Sequence, residues 1–291
     1  MNLQQMDAVR TRIATIFDGW NQSTTLDDMR NGFAELVSAG RTTDLTPADA
    51  NGVPAAWFGQ GDGVLFYCHG GGYQMGSIAS HGPLMADLAS ASGCRVLGFD
   101  YRLAPEHRYP AALEDSIHAY RWLLDQGVTA DRIAIAGDSA GAGLALATML
   151  KSKQHDLPLP ATAVFLSPWV DMLARSDTYQ TRAERDPLTQ RDKVMAMVKT
   201  YLGKDGDASD PFASPIEGDL SGLPPILVHV GGDETVLGDA RLLSERAQAV
   251  GTEVETVVWD NMIHHFQVFP ELDEARQSLA AIGDYLRNKI G

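Results

Sequence analysis

Ser139 lies between two glycines, in the string Gly-Asp-Ser-Ala-Gly over residues 137–141. An apolar run precedes this string and a helix-like segment follows it, so the sequence predicts a strand, a tight turn and a helix. A serine in such a turn is exposed at the edge of a sheet, and the close backbone approach excludes a Cβ on either side, which accounts for the two glycines. This placement predicts that the Ser139 hydroxyl is a nucleophile, able to attack a carbonyl carbon.

Three consecutive glycines follow a second apolar, strand-like run, within residues 69–73. Glycines leave backbone N–H groups uncovered, and several such groups can converge on one anion. A serine nucleophile needs such a site, because its attack places a negative charge on the carbonyl oxygen. The predicted donors of this oxyanion hole are the N–H groups of Gly71, Gly72 and Ala140, the last being the residue after the nucleophile.

Two later segments offer the base and the acid that a serine nucleophile requires. A histidine must take the serine proton, and a carboxylate must orient that histidine. The adjacent carboxylates Asp233 and Glu234 follow one predicted strand, and residue type alone favours Asp233. The adjacent histidines His264 and His265 follow the next strand. One member of each pair is expected to face the serine, because ligands gather at the carboxyl ends of strands, and the order serine, acid, histidine matches this sheet topology.

The elements that must hold these groups alternate along the chain between strands and helices. Six apolar runs are predicted strands, and they span residues 64–68, 95–99, 132–136, 163–166, 226–230 and 254–258. Alternation of this kind predicts a mostly parallel central sheet with helices on both faces. A hairpin that turns at Asn51-Gly52, with strands over 42–45 and 53–58, adds antiparallel strands at one edge.

Two stretches fall outside this alternation. Residues 171–223 carry no strand signal and are too long for a simple crossover, so they are predicted to be an insertion over the carboxyl edge of the sheet. Apolar residues at helical spacing predict two helices within residues 1–45. We expect the insertion and these helices to form a helical cap, while residues 46–170 and 224–291 form the catalytic domain.

Composition narrows the class of protein. The 291 residues carry a formal net charge of −15, which disfavours nucleic acids and anionic membranes as partners. No apolar stretch reaches the roughly 18 residues of a membrane span, and no signal peptide is visible, so we expect a cytoplasmic protein. The sequence shows neither metal-ligand spacing nor a dinucleotide-binding glycine pattern, and we expect no metal and no cofactor. Cys68 and Cys94 are expected to be free, buried thiols.

The motifs together resemble those of the bacterial hormone-sensitive lipase family (family IV) of esterases in the α/β-hydrolase superfamily. The resemblance rests on four motifs in order, at residues 69–72, 100–107, 137–141 and 262–264. It implies the α/β-hydrolase fold with a helical cap. It also implies a serine carboxylesterase, which hydrolyses small-molecule esters with short to medium acyl chains through an acyl-enzyme. Relatives often pair through the sheet edge near the C-terminus, so the resemblance further implies a homodimer.

Two positions depart from that family's pattern. Relatives carry a small or apolar residue after the catalytic histidine, so the resemblance selects His264 as the base and marks His265 as unusual. Many relatives also have Asp-Pro-Leu in the acid motif, which lies within residues 232–237 of this chain. Counting without gaps forward from Pro224-Pro225, or back from His264, puts Glu234 in the position that the acid has in relatives. Glutamate is an accepted third member of the catalytic triad in this fold class. Glu234 is therefore the predicted acid, and Asp233 is the alternative.

The expected walls of the acyl or alcohol pocket are aromatic and apolar residues near these groups: Tyr73, Trp20, Trp169 and Met172. Two alternatives to an esterase stay open. The same constellation serves lactones and amides, and plant hormone receptors use this fold as non-catalytic binding proteins. Those receptors lack the catalytic histidine, so the presence of His264 favours an enzyme.

Overall fold

The computed structural model describes residues 2–21 and 23–291. Within this part of the chain the centre is an eight-stranded sheet with the strand order β1-β2-β4-β3-β5-β6-β7-β8. The strands are β1 (Thr46–Asp49), β2 (Pro54–Phe58), β3 (Val64–Cys68), β4 (Arg95–Phe99), β5 (Ile133–Asp138), β6 (Thr162–Leu166), β7 (Ile226–Gly231) and β8 (Val254–Trp259). Pairs that involve β2 are antiparallel, and all pairs from β4 onward in this order are parallel. The predicted, mostly parallel sheet is confirmed.

Helices cover both faces of the sheet. They are α1 (Leu3–Phe17), α2 (Leu26–Ser38), α3 (Ile78–Ser92), α4 (Ala111–Asp125), α5 (Ala140–Gln154), α6 (Thr178–Thr181), α7 (Arg191–Leu202), α8 (Leu237–Ala249) and α9 (Asp273–Ile290). Helices α4, α5 and α8 share one apolar core, and α1, α2, α3 and α9 share another. Strands β3, β5 and β6 are buried along their whole length, and for this reason they consist almost wholly of apolar residues.

None of the helices in the described residues is long and apolar enough to cross a membrane. Both cysteines, Cys68 and Cys94, are free and buried, as predicted.

The N-terminal hairpin forms as predicted, but its first strand lies closer to the turn. Asn51 and Gly52 both have left-handed backbone, with φ of 58° and 85°, which is the conformation of the tight turns that join twisted strands. This turn pairs Asp49 with Pro54, so β1 lies directly before it. The predicted strand over 42–45 is wrong, because the turn fixes a register in which residues 42–44 lie beyond the end of β2.

The two stretches outside the alternation contain helices, as predicted. Helices α1 and α2 form the N-terminal pair, and residues 171–223, all of them described, hold α6, α7 and a 3₁₀ turn but no strand. Side chains from α1, α2 and α7 line one cavity together with Ser139. Both stretches therefore lie over the carboxyl edge of the sheet, where α/β proteins bind ligands. The division into a cap and a catalytic domain, with the boundaries given above, stays a prediction.

Candidate active site

Ser139 lies in a strained turn between β5 and α5. Its φ is 52° and its ψ is −121°, a conformation that few residues other than glycine adopt. A Cβ on Gly137 would lie 2.4 Å from the backbone of Gly141, and a Cβ on Gly141 would lie 2.1 Å from a carbonyl oxygen at the end of β3. Glycine is therefore required on both sides of the turn, for the steric reason that the sequence indicates.

The Ser139 hydroxyl begins a buried chain of hydrogen bonds. It donates to Nε2 of His264, in the loop after β8, with 2.8 Å between Oγ and Nε2. The other ring nitrogen of His264, Nδ1, donates to Oε2 of Glu234, 2.6 Å away. Glu234 follows β7 and is fully buried. The structure thus brings together three predicted residues that follow three different strands.

Both oxygens of the Glu234 carboxylate are held. Oε1 accepts hydrogen bonds from the Ser167 hydroxyl, at 2.9 Å, and from the backbone N–H of Gly231. The Ser167 hydroxyl in turn accepts a hydrogen bond from the backbone N–H of His265, also at 2.9 Å. One buried serine therefore joins the carboxylate to the histidine loop and fixes the direction in which Oε2 points.

Burial and hydrogen bonding shift the pKa values of Glu234 and His264 in opposite directions. Burial raises the pKa of Glu234 above its ordinary value, against the hydrogen bond and charge of His264. Burial also acts to lower the pKa of His264, but the hydrogen bond and negative charge of Glu234 outweigh it, so this pKa is raised. The imidazolium that forms when His264 takes a proton is therefore stabilised by its carboxylate partner.

Asp233, the alternative acid, does not contact the histidine. Its carboxylate lies 3.1 Å from Nη1 of Arg185 and lines a separate, polar pocket that also contains Arg182 and Arg241. The ion pair with Arg185 occupies the Asp233 side chain away from the serine. The geometry therefore favours Glu234 over Asp233 as the partner of the histidine.

The glycine loop after β3 lies beside the serine. Gly71 and Gly72 have left-handed φ values of 114° and 64° and line the same cavity as the serine. Among the described residues, no group accepts a hydrogen bond from the N–H of Gly71, Gly72 or Ala140. These amides are available to an anion, as an oxyanion hole requires. The N–H of Gly70 donates to Oδ1 of Asp138 at 2.9 Å, which ties the loop to the residue before the nucleophile.

The site opens into a cavity of about 440 Å³, a usual size for a small-molecule site. Its wall is mostly aromatic and aliphatic and includes two of the predicted pocket residues, Trp20 and Trp169; their role as walls of the acyl or alcohol pocket stays a prediction. The other two predicted wall residues, Tyr73 and Met172, lie in the core and not on the wall. Tyr73 packs face to face on Tyr201, with ring centroids 3.9 Å apart, because its ring is directed into the core beneath the glycine loop. Nowhere in the described residues do three His, Cys, Asp or Glu side chains form a group that could bind a metal ion.

Comparisons with known proteins agree with this geometry. A family model for the α/β-hydrolase fold matches residues 65–268, which is most of the chain. This chain belongs to the α/β-hydrolase family. The hydrolase is 43% identical to a solved esterase of the bacterial hormone-sensitive lipase family, with 99% of each chain covered and a TM-score of 0.95. The fold and the hormone-sensitive lipase branch that the motifs predict are thereby confirmed.

Curated relatives of this hydrolase have names that describe one type of activity. An acetyl-hydrolase of Streptomyces hygroscopicus is 42% identical over 229 residues, 78% of this chain and 76% of the relative. An esterase of Acinetobacter venetianus is 38% identical over 223 residues, 76% of this chain and 74% of the relative. The hydrolase is a carboxylic ester hydrolase.

Sequence reasoning missed two buried carboxylates that hold the loops of this hydrolase. Asp186, from the insertion, accepts a hydrogen bond at 2.9 Å from the backbone N–H of Thr235, the residue after Glu234. Asp138 accepts hydrogen bonds from the glycine loop and, at 2.8 Å, from the Tyr67 hydroxyl. Asp138 belongs to the serine string, which is a usable signal for its role. Nothing in the sequence indicates the contact of Asp186, because the two partners come from different elements.

Proposed function

We propose that this hydrolase is a serine carboxylesterase that cleaves short- to medium-chain acyl esters, with Ser139 as nucleophile, His264 as base and Glu234 as acid. The observation that carries the proposal is the continuous chain of hydrogen bonds from hydroxyl to imidazole to carboxylate, at 2.8 and 2.6 Å. The chain begins beside an apolar cavity and next to the unpaired N–H groups of the glycine loop. Nucleophile, base and oxyanion donors therefore serve one reacting carbonyl group.

Acylation begins when the Ser139 Oγ attacks the ester carbonyl carbon while its proton passes to Nε2 of His264. The carbonyl oxygen gains a negative charge, which the N–H groups of Gly71, Gly72 and Ala140 stabilise. His264 then donates its proton to the oxygen of the departing alcohol. The bond between that oxygen and the carbonyl carbon breaks, and an acyl-enzyme remains.

Deacylation repeats these roles with water as the nucleophile. His264 takes a proton from a water molecule, whose oxygen attacks the acyl carbon. The bond between that carbon and the Ser139 oxygen then breaks, and His264 returns the proton to the serine. Glu234 stays ionised through both halves of the reaction and stabilises the imidazolium each time it forms. The products are the alcohol and the free carboxylic acid.

The size of the cavity supports acyl chains of short to medium length. A space of about 440 Å³ is near the lower end of the range for small-molecule sites, and bulky side chains such as Phe17, Trp20 and Phe33 bound it. We expect kcat/KM for p-nitrophenyl esters to be highest between acetyl and octanoyl and to fall toward dodecanoyl. The control is Ser139→Ala, which is expected to lower kcat by about 10⁴-fold or more. A maximum at dodecanoyl, or full activity in the serine variant, would refute the proposal.

The variants Glu234→Gln and Asp233→Asn test the assignment of the acid. Each replaces a carboxylate with an amide of similar shape, so the comparison reports the loss of the charge. We expect Glu234→Gln to lower kcat by about 10⁴-fold, because the histidine loses the partner that fixes its tautomer. Asp233→Asn removes an ion pair with Arg185 at the surface, and we expect kcat to change by less than about threefold. If Asp233→Asn lowered kcat by about 10⁴-fold and Glu234→Gln changed it little, Asp233 and not Glu234 would be the acid.

The homodimer and the cytoplasmic location stay predictions. β8 is an edge strand, and Val258 on it is 41% exposed, which supports pairing of two copies along this edge. Sedimentation velocity is expected to give a dimer for the wild type and a monomer for Val258→Lys; a monomeric wild type would contradict the pairing. Cell fractionation tests the location.

A further inference from the structure

His265 is a buried polar residue on the cavity wall that the proposed mechanism does not use. Its backbone is left-handed, with φ of 38° and ψ of 43°, and its side chain is 4% exposed. The ring lies nearly parallel to that of Phe33, with an interplanar angle of 11° and centroids 6.4 Å apart. Both residues line the cavity together with Ser139. A ring that carries two nitrogens is thus held against an aromatic wall of the substrate cavity.

One ring nitrogen of His265 faces a buried carboxylate. Nδ1 lies 3.3 Å from Oδ2 of Asp138, close enough for electrostatic attraction although not aligned as a full hydrogen bond. Oδ2 is also 3.4 Å from Nε2 of His81, so two imidazole rings flank it. Burial acts to raise the pKa of Asp138, but the two histidines outweigh it and hold this pKa well below its ordinary value. Asp138 is therefore an anion at neutral pH.

This carboxylate determines which nitrogen of His265 carries the proton. An ionised carboxylate offers only lone pairs, so the nitrogen that faces it, Nδ1, is the protonated one. Burial lowers the pKa of His265 below its ordinary value, so the ring is neutral at neutral pH and Nε2 carries a lone pair. In residues 2–21 and 23–291, Nε2 has no hydrogen-bond partner. It is the polar atom of this ring that is left to face the cavity.

The other polar side chains on the wall are few, and they differ from His265 in what they can donate and accept. Apart from the serine and the histidines, the polar side chains that line the cavity are Gln74, Thr189, Lys193 and Thr200. Both threonine hydroxyls donate to groups of the protein, and that of Thr189 also lies 2.7 Å from the Thr235 hydroxyl. A lysine ammonium only donates, and hydroxyls and the Gln74 amide both donate and accept, whereas Nε2 of a neutral ring protonated at Nδ1 only accepts. His265 therefore presents a neutral acceptor on a wall that is otherwise mostly apolar.

We propose that His265 is a specificity-determining residue whose Nε2 accepts a hydrogen bond from a hydroxyl group of the substrate. The preferred substrates are then short-chain esters that carry a hydroxyl on the acyl chain or on the alcohol. The inference rests on the proposed esterase function of the same site. An apolar analogue of such a substrate leaves the buried lone pair without a partner, and a site that contains such an acceptor discriminates against the analogue.

Two matched pairs of substrates test the inference. Methyl 3-hydroxybutyrate and methyl 3-methylbutyrate exchange a hydroxyl for a methyl group on the acyl chain. The esters 2-hydroxyethyl butyrate and propyl butyrate make the same exchange on the alcohol. For each pair, the ratio of the two kcat/KM values is measured in the wild type and in His265→Phe, which keeps a ring against Phe33 but removes both nitrogens. We expect this ratio to be about tenfold higher in the wild type for one pair, and the pair that responds shows which side of the substrate reaches His265.

Thr200→Val is the matched control, because it removes a polar group from the same wall at nearly constant volume and is expected to leave both ratios unchanged. If both ratios are the same in the wild type and in His265→Phe, the inference is overturned and His265 is a packing residue. His265→Leu takes the place of the phenylalanine variant if the latter does not fold. The proposed esterase function is tested separately, by measuring wild-type activity on methyl butyrate and its loss in Ser139→Ala. A failure of the esterase proposal can therefore be distinguished from a failure of the inference about His265.

Discussion

Replacing Ser167 with alanine removes the hydroxyl that joins the proposed acid to the histidine loop. This hydroxyl donates to Oε1 of Glu234 and accepts from the backbone N–H of His265, both at 2.9 Å, and all three residues are buried. A hydrogen bond to a charged group contributes about 1.5–3 kcal/mol, and a buried N–H left without a partner costs about 1–3 kcal/mol. Glu234 keeps its hydrogen bond from Gly231, which limits the loss. We therefore expect Ser167→Ala to lower the free energy of unfolding by about 3 kcal/mol.

Ser152→Ala is the matched control for this prediction. Ser152 is as deeply buried as Ser167, but among the described residues its hydroxyl has no hydrogen-bond partner. Its replacement is expected to change the free energy of unfolding by less than about 0.5 kcal/mol, because no hydrogen bond is lost and alanine favours the helix. Urea titrations of the three proteins, compared at equal m values, measure the difference. Equal midpoints for the two variants would refute the reasoning, since the contacts of Ser167 would then contribute nothing.

Two further predictions concern pH and the glycine loop. The value of kcat/KM is expected to rise with pH through the pKa of His264, because the base must be neutral. In Glu234→Gln, the carboxylate that raises this pKa is lost while burial, which lowers it, remains. The inflection of the pH profile is therefore expected to move to lower pH. Profiles of both proteins from about pH 5 to about pH 9 measure the shift, and an unchanged inflection contradicts the prediction. Gly71→Ala would force a Cβ to within 2.3 Å of the Met75 carbonyl oxygen at a left-handed φ, so the oxyanion donor moves and kcat is expected to fall about 10²-fold or more. Gly222→Ala, also left-handed but with open space around its Cβ, is the control, and an equal loss there would show that the oxyanion site is not involved.

The central parallel strands β3, β5, β6 and β7 are predictable from the sequence because burial on both faces makes them continuous apolar runs. The first strand of the hairpin is not, because Thr46–Asp49 is mostly exposed and carries no apolar signal. Its position follows from the turn at Asn51 and Gly52, which sets the register of the pairing. Sequence reasoning therefore predicts the buried part of this fold well and misplaces an exposed edge.

In the candidate site, the residue types that a reaction requires are easier to predict from the sequence than the contacts that hold those residues in place. The chemistry of acyl transfer predicts a serine, a carboxylate and a histidine in this order at strand ends, but residue type alone favours Asp233, and the choice of Glu234 and His264 follows from the family resemblance. In the structure, Ser139, His264 and Glu234 are joined by hydrogen bonds. The supporting contact of Ser167 joins residues 67 positions apart, and no local pattern marks it. The type and position of Tyr73 predict a wall residue, but residue type does not tell which way a loop side chain points.

The walls of the cavity and its reacting groups come from separate stretches of the sequence. The reacting groups follow β3, β5, β7 and β8, whereas much of the wall comes from residues 17–33 and 188–200. Substitutions in these two stretches change the volume and polarity offered to a substrate while the sheet that holds the reacting groups stays the same. New substrate ranges can therefore evolve through the N-terminal helices and the insertion alone, and libraries randomised there sample specificity on an unchanged scaffold.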